Sequence, residues 1–289
     1  MKKKIEAFDI VNTIILILIS LTMLYPIWYI IVNSFASTNE AMTGGVTFWP
    51  KGISFESYLA VFQNPSLLNS FFVTLARTVV ATSLHVFFTA MVAYAFSKKR
   101  LIGRKIYMRI GIITMLFNGG LIPAYILINR LNLYDTFWVY ILPAMFSFYN
   151  AVIFMSFYKG IPPAMEEAAL VDGAGDFTTF IRIVLPISKP VLATIGLFAA
   201  VYNWNDYFMG IIYIRNQKLL PAQTILYKIV VENSSIAMQQ QAQSQFGMRI
   251  SPTSIKFATM VIVVFPIVVL YPFVQRFFVK GMIIGSIKE

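Results

Sequence analysis

The stretch from Glu167 to Pro190 reads EAALVDGAGDFTTFIRIVLPISKP. It is a polar island in an apolar chain, and hydrophobic segments of membrane-spanning length lie on both sides of it. Just ahead of it and into it runs Pro162-Pro163-Ala164-Met165-Glu166-Glu167-Ala168-Ala169-Leu170-Val171-Asp172, which has the composition of a short helix. Proline suits a first turn, and acidic residues there favour the positive end of the helix dipole. Gly173 is a natural stop. A second short helix is expected from Asp176 to about Val184, ended by Pro186. The small residues Ala168, Ala169, Gly173, Ala174 and Gly175 let another surface approach closely. On composition alone, a solvated connecting loop competes with a contact site.

The setting is a membrane. The chain is 58% hydrophobic and 12% charged, about half the roughly 25% charge of soluble domains. With no cysteine, disulfides, thiol nucleophiles and cysteine-ligated metals are excluded. The one histidine, His85, cannot by itself build a metal site or a triad, and no catalytic residue or metal ligand is expected. A net charge of +11 fits cytoplasmic loops and anionic lipid, and no basic patch is laid out for nucleic acid.

The whole chain, 1–289, reads as a single all-α integral membrane domain. Six transmembrane helices are expected at about 10–32, 71–96, 110–128, 137–157, 190–214 and 256–279, with a cytoplasmic loop at 158–189 between the fourth and fifth. The first would span about 34 Å, enough for the hydrocarbon core. Its apolar run is too long for a signal peptide, and no small-residue cleavage site follows it. A short helix over 55–62, capped by Ser54, is expected in the outer loop. Arg77 and His85 are costly in lipid and should face protein or water, His85 in a hydrogen bond within the bundle. Gly119-Gly120 and Pro123 interrupt the third helix, and a Gln-rich patch at 239–245 belongs to a long outer segment.

Six spans place both termini on one side. Lys2, Lys3 and Lys4 at the start, and Lys98, Lys99, Arg100, Arg104, Lys105 and Arg109 in the loop 97–109, mark that side as cytoplasmic. With this orientation fifteen of the twenty-three Lys and Arg lie on inner segments. The polar island is then cytoplasmic.

The spacing within the island is specific: Glu-Ala-Ala, three residues, Gly, nine residues, Ile-x-Leu-Pro. It falls on Glu167-Ala168-Ala169, Gly173, Ile183, Leu185 and Pro186 without a gap. This resembles the loop of ABC-importer permeases. The segments Ala93-Tyr94-Ala95-Phe96, Gly103-Arg104, Trp204-Asn205-Asp206 and Lys280-Gly281 are similar to carbohydrate-uptake permeases of the maltose and multiple-sugar type. The stretch Asn118-Gly119-Gly120-Leu121-Ile122-Pro123 resembles those for complex oligosaccharides. The resemblance implies a multi-pass subunit of a bacterial cytoplasmic membrane and a second, homologous permease. It also implies two ATPase subunits, an extracellular sugar-binding protein and an oligosaccharide substrate. A coupling helix near 164–175 would dock on the ATPase through Glu167, Ala168, Ala169, Asp172, Gly173 and Ala174. Glu166 would be merely solvated. No cofactor is expected on this chain; ATP and Mg would sit on the ATPases.

A sugar path needs aromatic faces and amide or carboxylate groups. Asn203, Trp204, Asn205, Asp206 and Tyr207 offer both, Asn203 and Tyr207 lying four apart on one helical face. Helix packing, or the capping of an unwound turn, competes with substrate contact here. Asn150 and Arg77 are further candidates. No Gly-x-x-x-x-Gly-Lys-Ser/Thr loop is present, so the chain does not hydrolyse ATP alone. The remaining alternatives are an ABC permease for a non-sugar solute and, more remotely, an intramembrane enzyme.

Overall fold

The computed structural model describes residues 7–37, 40–41, 45–231, 239–240, 243 and 251–286. Helices in chain order are α1 (Ala7–Ser34), α2 (Glu56–Gln63), α3 (Pro65–Ser97), α4 (Arg104–Leu116), α5 (Leu121–Arg130), α6 (Phe148–Tyr158) and α7 (Pro163–Val171). They continue as α8 (Asp176–Ile187), α9 (Lys189–Asn205), α10 (Phe208–Tyr213), α11 (Ala222–Val231) and α12 (Pro252–Ser286). The fold is all-helical; a single isolated bridge joins Ala36 and Ile53 among the described residues.

Among the described residues, three helices are long and apolar enough to cross a membrane: α1, α3 and the Pro252–Val269 part of α12. Two bent pairs raise the number to five if each counts as one crossing: α4 with α5, bent by 116°, and α8 with α9, bent by 83°. The span bounds expected from sequence are corrected in several places, while the interruption expected in the third is present. The span 110–128 begins earlier, at Arg104, so Arg104, Lys105 and Arg109 are helical rather than loop residues. It breaks after Leu116, where Gly120 adopts φ +88° and Pro123 falls in the first turn of α5. The span 137–157 is a 3₁₀ turn, Phe137–Tyr140, an irregular stretch and then α6. The span 190–214 is cut after Asn205.

Several ends also shift. The helix expected at 71–96 starts at Pro65, because the Asn64 side chain accepts from the N–H groups of Ser66 (3.0 Å) and Leu67 (3.2 Å). The last helix, expected at 256–279, runs from Pro252 to Ser286. At α2 the N-cap is Phe55, not Ser54, though the Ser54 hydroxyl accepts from Glu56 N–H. Pro186 does not end the second helix of the island. A π-helical turn at Phe180–Val184 widens the helix just ahead of it, and α8 continues to Ile187. Lys2–Lys4 and most of the Gln-rich patch lie outside the described residues.

The chain divides into two compact units. One comprises Met1–Leu68 and Ile225–Pro266. Its core is Ala60, Val61, Leu67, Ile229, Ile255 and Ala258. At the end of α1, the Asn33 amide bonds both polar groups of Val46, and Ser34 shares a 2.6 Å hydrogen bond with Tyr58. The backbone N–H of Lys51, 2.7 Å from the Glu40 carboxylate, holds that carboxyl below its ordinary pKa with help from Ser37.

The other unit comprises Asn69–Thr224 and Ile267–Glu289. Its core joins Ala90, Ala93 and Tyr94 of α3, Phe154 and Tyr158 of α6, Phe180 and Val184 of α8, and Val191 and Ile195 of α9. Against it, α4 meets α6 at Gly111, where any Cβ would overlap the buried ring of Phe148. Gly111→Ala gains helix propensity of about 1 kcal/mol but overpacks a fixed ring, at about 1–3 kcal/mol. The clash should win. A lowered thermal midpoint of the purified protein in detergent is expected, and an unchanged or raised midpoint would contradict this packing.

Candidate functional site

Helix α7 begins at Pro163 and keeps Glu166 in its first turn. It ends at Asp172, with Gly173 at φ +79°. Two hydrogen bonds close the end: Gly173 N–H to Leu170 O (3.0 Å) and Ala174 N–H to Ala169 O (2.9 Å). This pair is the Schellman pattern, which needs a left-handed residue at the position of Gly173. No atom lies within 4 Å of where a Cβ on Gly173 would sit. Its role is therefore conformational rather than steric.

The candidate docking residues divide by exposure. Ala169 is 5% exposed and packs inward, while Glu167, Ala168, Asp172 and Gly173 are exposed and Ala174 is half-buried. Leu170 and Val171 also face out, Val171 at 87%. The outward surface of α7 is thus a carboxylate beside bare aliphatic side chains, a combination suited to a protein partner. Among the described residues Glu167 enters no ion pair. Glu166 does: its carboxylate pairs with Lys98, which corrects the expectation that it is merely solvated. Lys98 Nζ also lies 4.0 Å from the centre of the Tyr94 ring. Arg100 pairs with Asp176.

The second cluster lies where α9 ends. Asp206 has extended backbone (ψ 115°), which breaks the helix. Asn203 and Tyr207 consequently do not share a helical face, contrary to the sequence reading. Asn203 is buried, its Nδ2 donating to Ala199 O at 2.9 Å. Trp204 is buried too. Asn205 is exposed and accepts from Gln223 Nε2 at 3.2 Å. Tyr207 is 42% exposed, and its carbonyl accepts from the Thr224 hydroxyl at 3.0 Å.

Asp206 serves two purposes. Its Oδ1 caps α10 by accepting from Phe208 N–H (3.1 Å) and Met209 N–H (3.4 Å). Its Oδ2 pairs with Arg77 of α3, and its carbonyl accepts from Arg77 Nη1 at 3.0 Å. Arg77 is 1% exposed, and its guanidinium stacks 4.4 Å from the Tyr140 ring centre. Tyr140 in turn donates to Leu219 O at 2.9 Å. Farther along α3, His85 Nδ1 is 2.6 Å from Ala144 O, and Asn150 Nδ2 is 2.8 Å from His85 Nε2. A carbonyl can only accept, so Nδ1 carries the proton and Nε2 accepts from Asn150. Asn150, named as a path candidate, spends its amide on this histidine.

Residues 6–284 match the family described as "Binding-protein-dependent transport system inner membrane component". The chain belongs to this family. Protein LplC of Bacillus subtilis (strain 168) is 37% identical over 98% of this chain and 95% of its own. The polygalacturonan/rhamnogalacturonan transport system permease protein YtcP of the same strain is 34% identical over 99% of each. Among solved structures, a chain of a bacterial ABC transporter involved in the import of the acidic polysaccharide alginate superposes with a TM-score of 0.88. It shares 31% identity and is covered over 96% of its length, 94% of this chain.

A permease of this family is a multi-pass inner-membrane protein within an ABC transporter complex that also contains an ATPase and a binding protein. Hydrolysis belongs to the ATPase subunits. Sequence reasoning missed the pairing of Lys98 and Arg100 with the permease's polar island. It singled out their loop for its charge alone, and no local signal links residues 68 and 76 positions apart.

Proposed function

We propose that this permease is one of two different permease subunits of an importer for oligosaccharides that carry uronic acids. The six crossings are α1, α3, the two bent pairs, α12, and the short segment from Phe137 to α6. Both termini and α7 are then cytoplasmic, and alternating access is driven by ATPase subunits docked on α7. The observation that carries this reading is α7 itself, an outward-facing helix closed by a left-handed glycine and presenting Glu167 beside exposed apolar side chains.

The acidic class of substrate is supported by YtcP, named for polygalacturonan/rhamnogalacturonan transport, and by the transporter involved in the import of the acidic polysaccharide alginate. It is also supported by charge. Arg130, Arg215 and Lys218 are exposed at the ends of segments on the proposed outer side. The nearby Asp135 carboxylate is occupied by the N–H groups of Arg215 and Asn216, both at 2.8 Å. Uptake of a labelled galacturonate oligosaccharide by cells or proteoliposomes containing the whole importer should be competed by unlabelled uronic oligosaccharides and not by neutral ones of equal length. Equal competition by neutral sugars, or none by uronic sugars, would remove the acidic assignment.

A further inference from the structure

We propose that the ion pairs Lys98–Glu166 and Arg100–Asp176 latch α7 to the end of α3, so that a displacement of α7 is passed on to α3. The inference rests on the docking of an ATPase at α7.

Helix α7 is otherwise lightly held. From Pro163 to Asp176 the one buried side chain is Ala169, a single methyl group. Nor does apolar packing fill the space between the end of α3 and the Asp176 turn. A cavity of about 550 Å³ lies there, walled by Tyr94, Lys98, Leu101, Tyr107, Phe177 and Phe180 among others. The two ion pairs run from the end of α3 to either side of α7, one to α7 itself and one to the first residue of α8. Glu166 sits in its first turn and Asp176 just beyond its Schellman end. Attachment at two ends resists rotation as well as withdrawal, which one contact would not.

The α3 end of the latch is rigid. Lys98 lies over Tyr94, and Tyr94 is 5% exposed with its ring 5.4 Å from that of Phe180 in the core. From there α3 runs without interruption past His85 to Arg77, the residues that hold Asn150 and Asp206. A pull on Lys98 therefore acts on the helix that organises both polar clusters. The two pairs are not equal. Lys98 and Glu166 side chains are 17% and 29% exposed, whereas Arg100 and Asp176 are 58% and 61% exposed and open to salt screening.

The test uses the complete importer in proteoliposomes, with Lys98→Glu, Glu166→Lys and the double exchange. Recovery of the ATPase with the permease, ATP hydrolysis stimulated by loaded binding protein, and uptake are all measured. Each single reversal should keep the ATPase bound yet lose the stimulation, and uptake should fall about ten-fold, since attraction is replaced by repulsion at a partly buried pair. The double exchange should recover at least half of the wild-type uptake. A double exchange no better than the singles, or singles with wild-type uptake, would overturn the latch. Arg100→Glu should cost about two-fold, and only at low ionic strength; a loss undiminished by salt would exclude an ionic role for that pair. Failure of the docking reading is seen separately, as full ATPase recovery with the Glu167→Lys permease.

Discussion

Arg77→Ala is expected to destabilise the permease by about 3–5 kcal/mol, the cost of leaving one member of a buried ion pair behind. The carboxylate of Asp206 would keep its two capping hydrogen bonds to α10 but lose its counter-charge. The Asp206 carbonyl and the face of Tyr140 would lose their cation as well. For a chain of this size the thermal midpoint in detergent should drop by roughly 10 °C, with transport lost in parallel. Asp206→Asn should be similarly severe, because Arg77 is then the uncompensated charge. The double variant Arg77→Gln with Asp206→Asn removes both charges and should be more stable than either single change. An Arg77→Ala midpoint equal to wild type, or a double variant no better than the singles, would mean that this pair does not hold the α9–α10 break.

Glu167→Lys and Gly173→Val should act on transport rather than on insertion. Glu167 is exposed and free of ion pairs among the described residues, so its reversal costs the isolated chain little. An interfacial charge pair that loses one partner forfeits about 2 kcal/mol or more, so affinity for the ATPase should fall about 30-fold or more. Gly173→Val meets no neighbouring atom, but a β-branched residue at φ +79° costs about 1–2 kcal/mol. The Schellman end should open and α7 change its exit. For both variants the expected result is normal membrane abundance, loss of the co-purifying ATPase and loss of uptake. Full recovery of ATPase and uptake in both would remove α7 as the docking element.

What could be read from the sequence follows the reach of the forces involved. The start and stop of α7 were legible because proline at a first turn and glycine at a left-handed exit act within a few residues. The break at Asn118-Gly119-Gly120 was legible as an interruption, but not as a 116° bend, because direction is set by what α5 packs against. Pro186 misled: its local meaning is a helix end, and the π-turn before it let the helix continue. Asn150 and Asp206 looked like groups available to a sugar. In the structure they are occupied by His85 and Arg77, 65 and 129 positions away.

By itself, the sequence determined that this is a helical membrane protein and that its polar island opens with a short helix ended at Gly173. Composition and turn chemistry are local or additive quantities, and they survive without knowledge of the fold. Only the tertiary structure decided which polar groups remain free. An amide or carboxylate in a low-dielectric interior must find a partner, and that partner is chosen by which helices come to lie side by side. Hence Asp206 became a cap and counter-ion, and Asn150 a support for His85. Glu166 was drawn to Lys98, and its neighbour Glu167 was left facing outward.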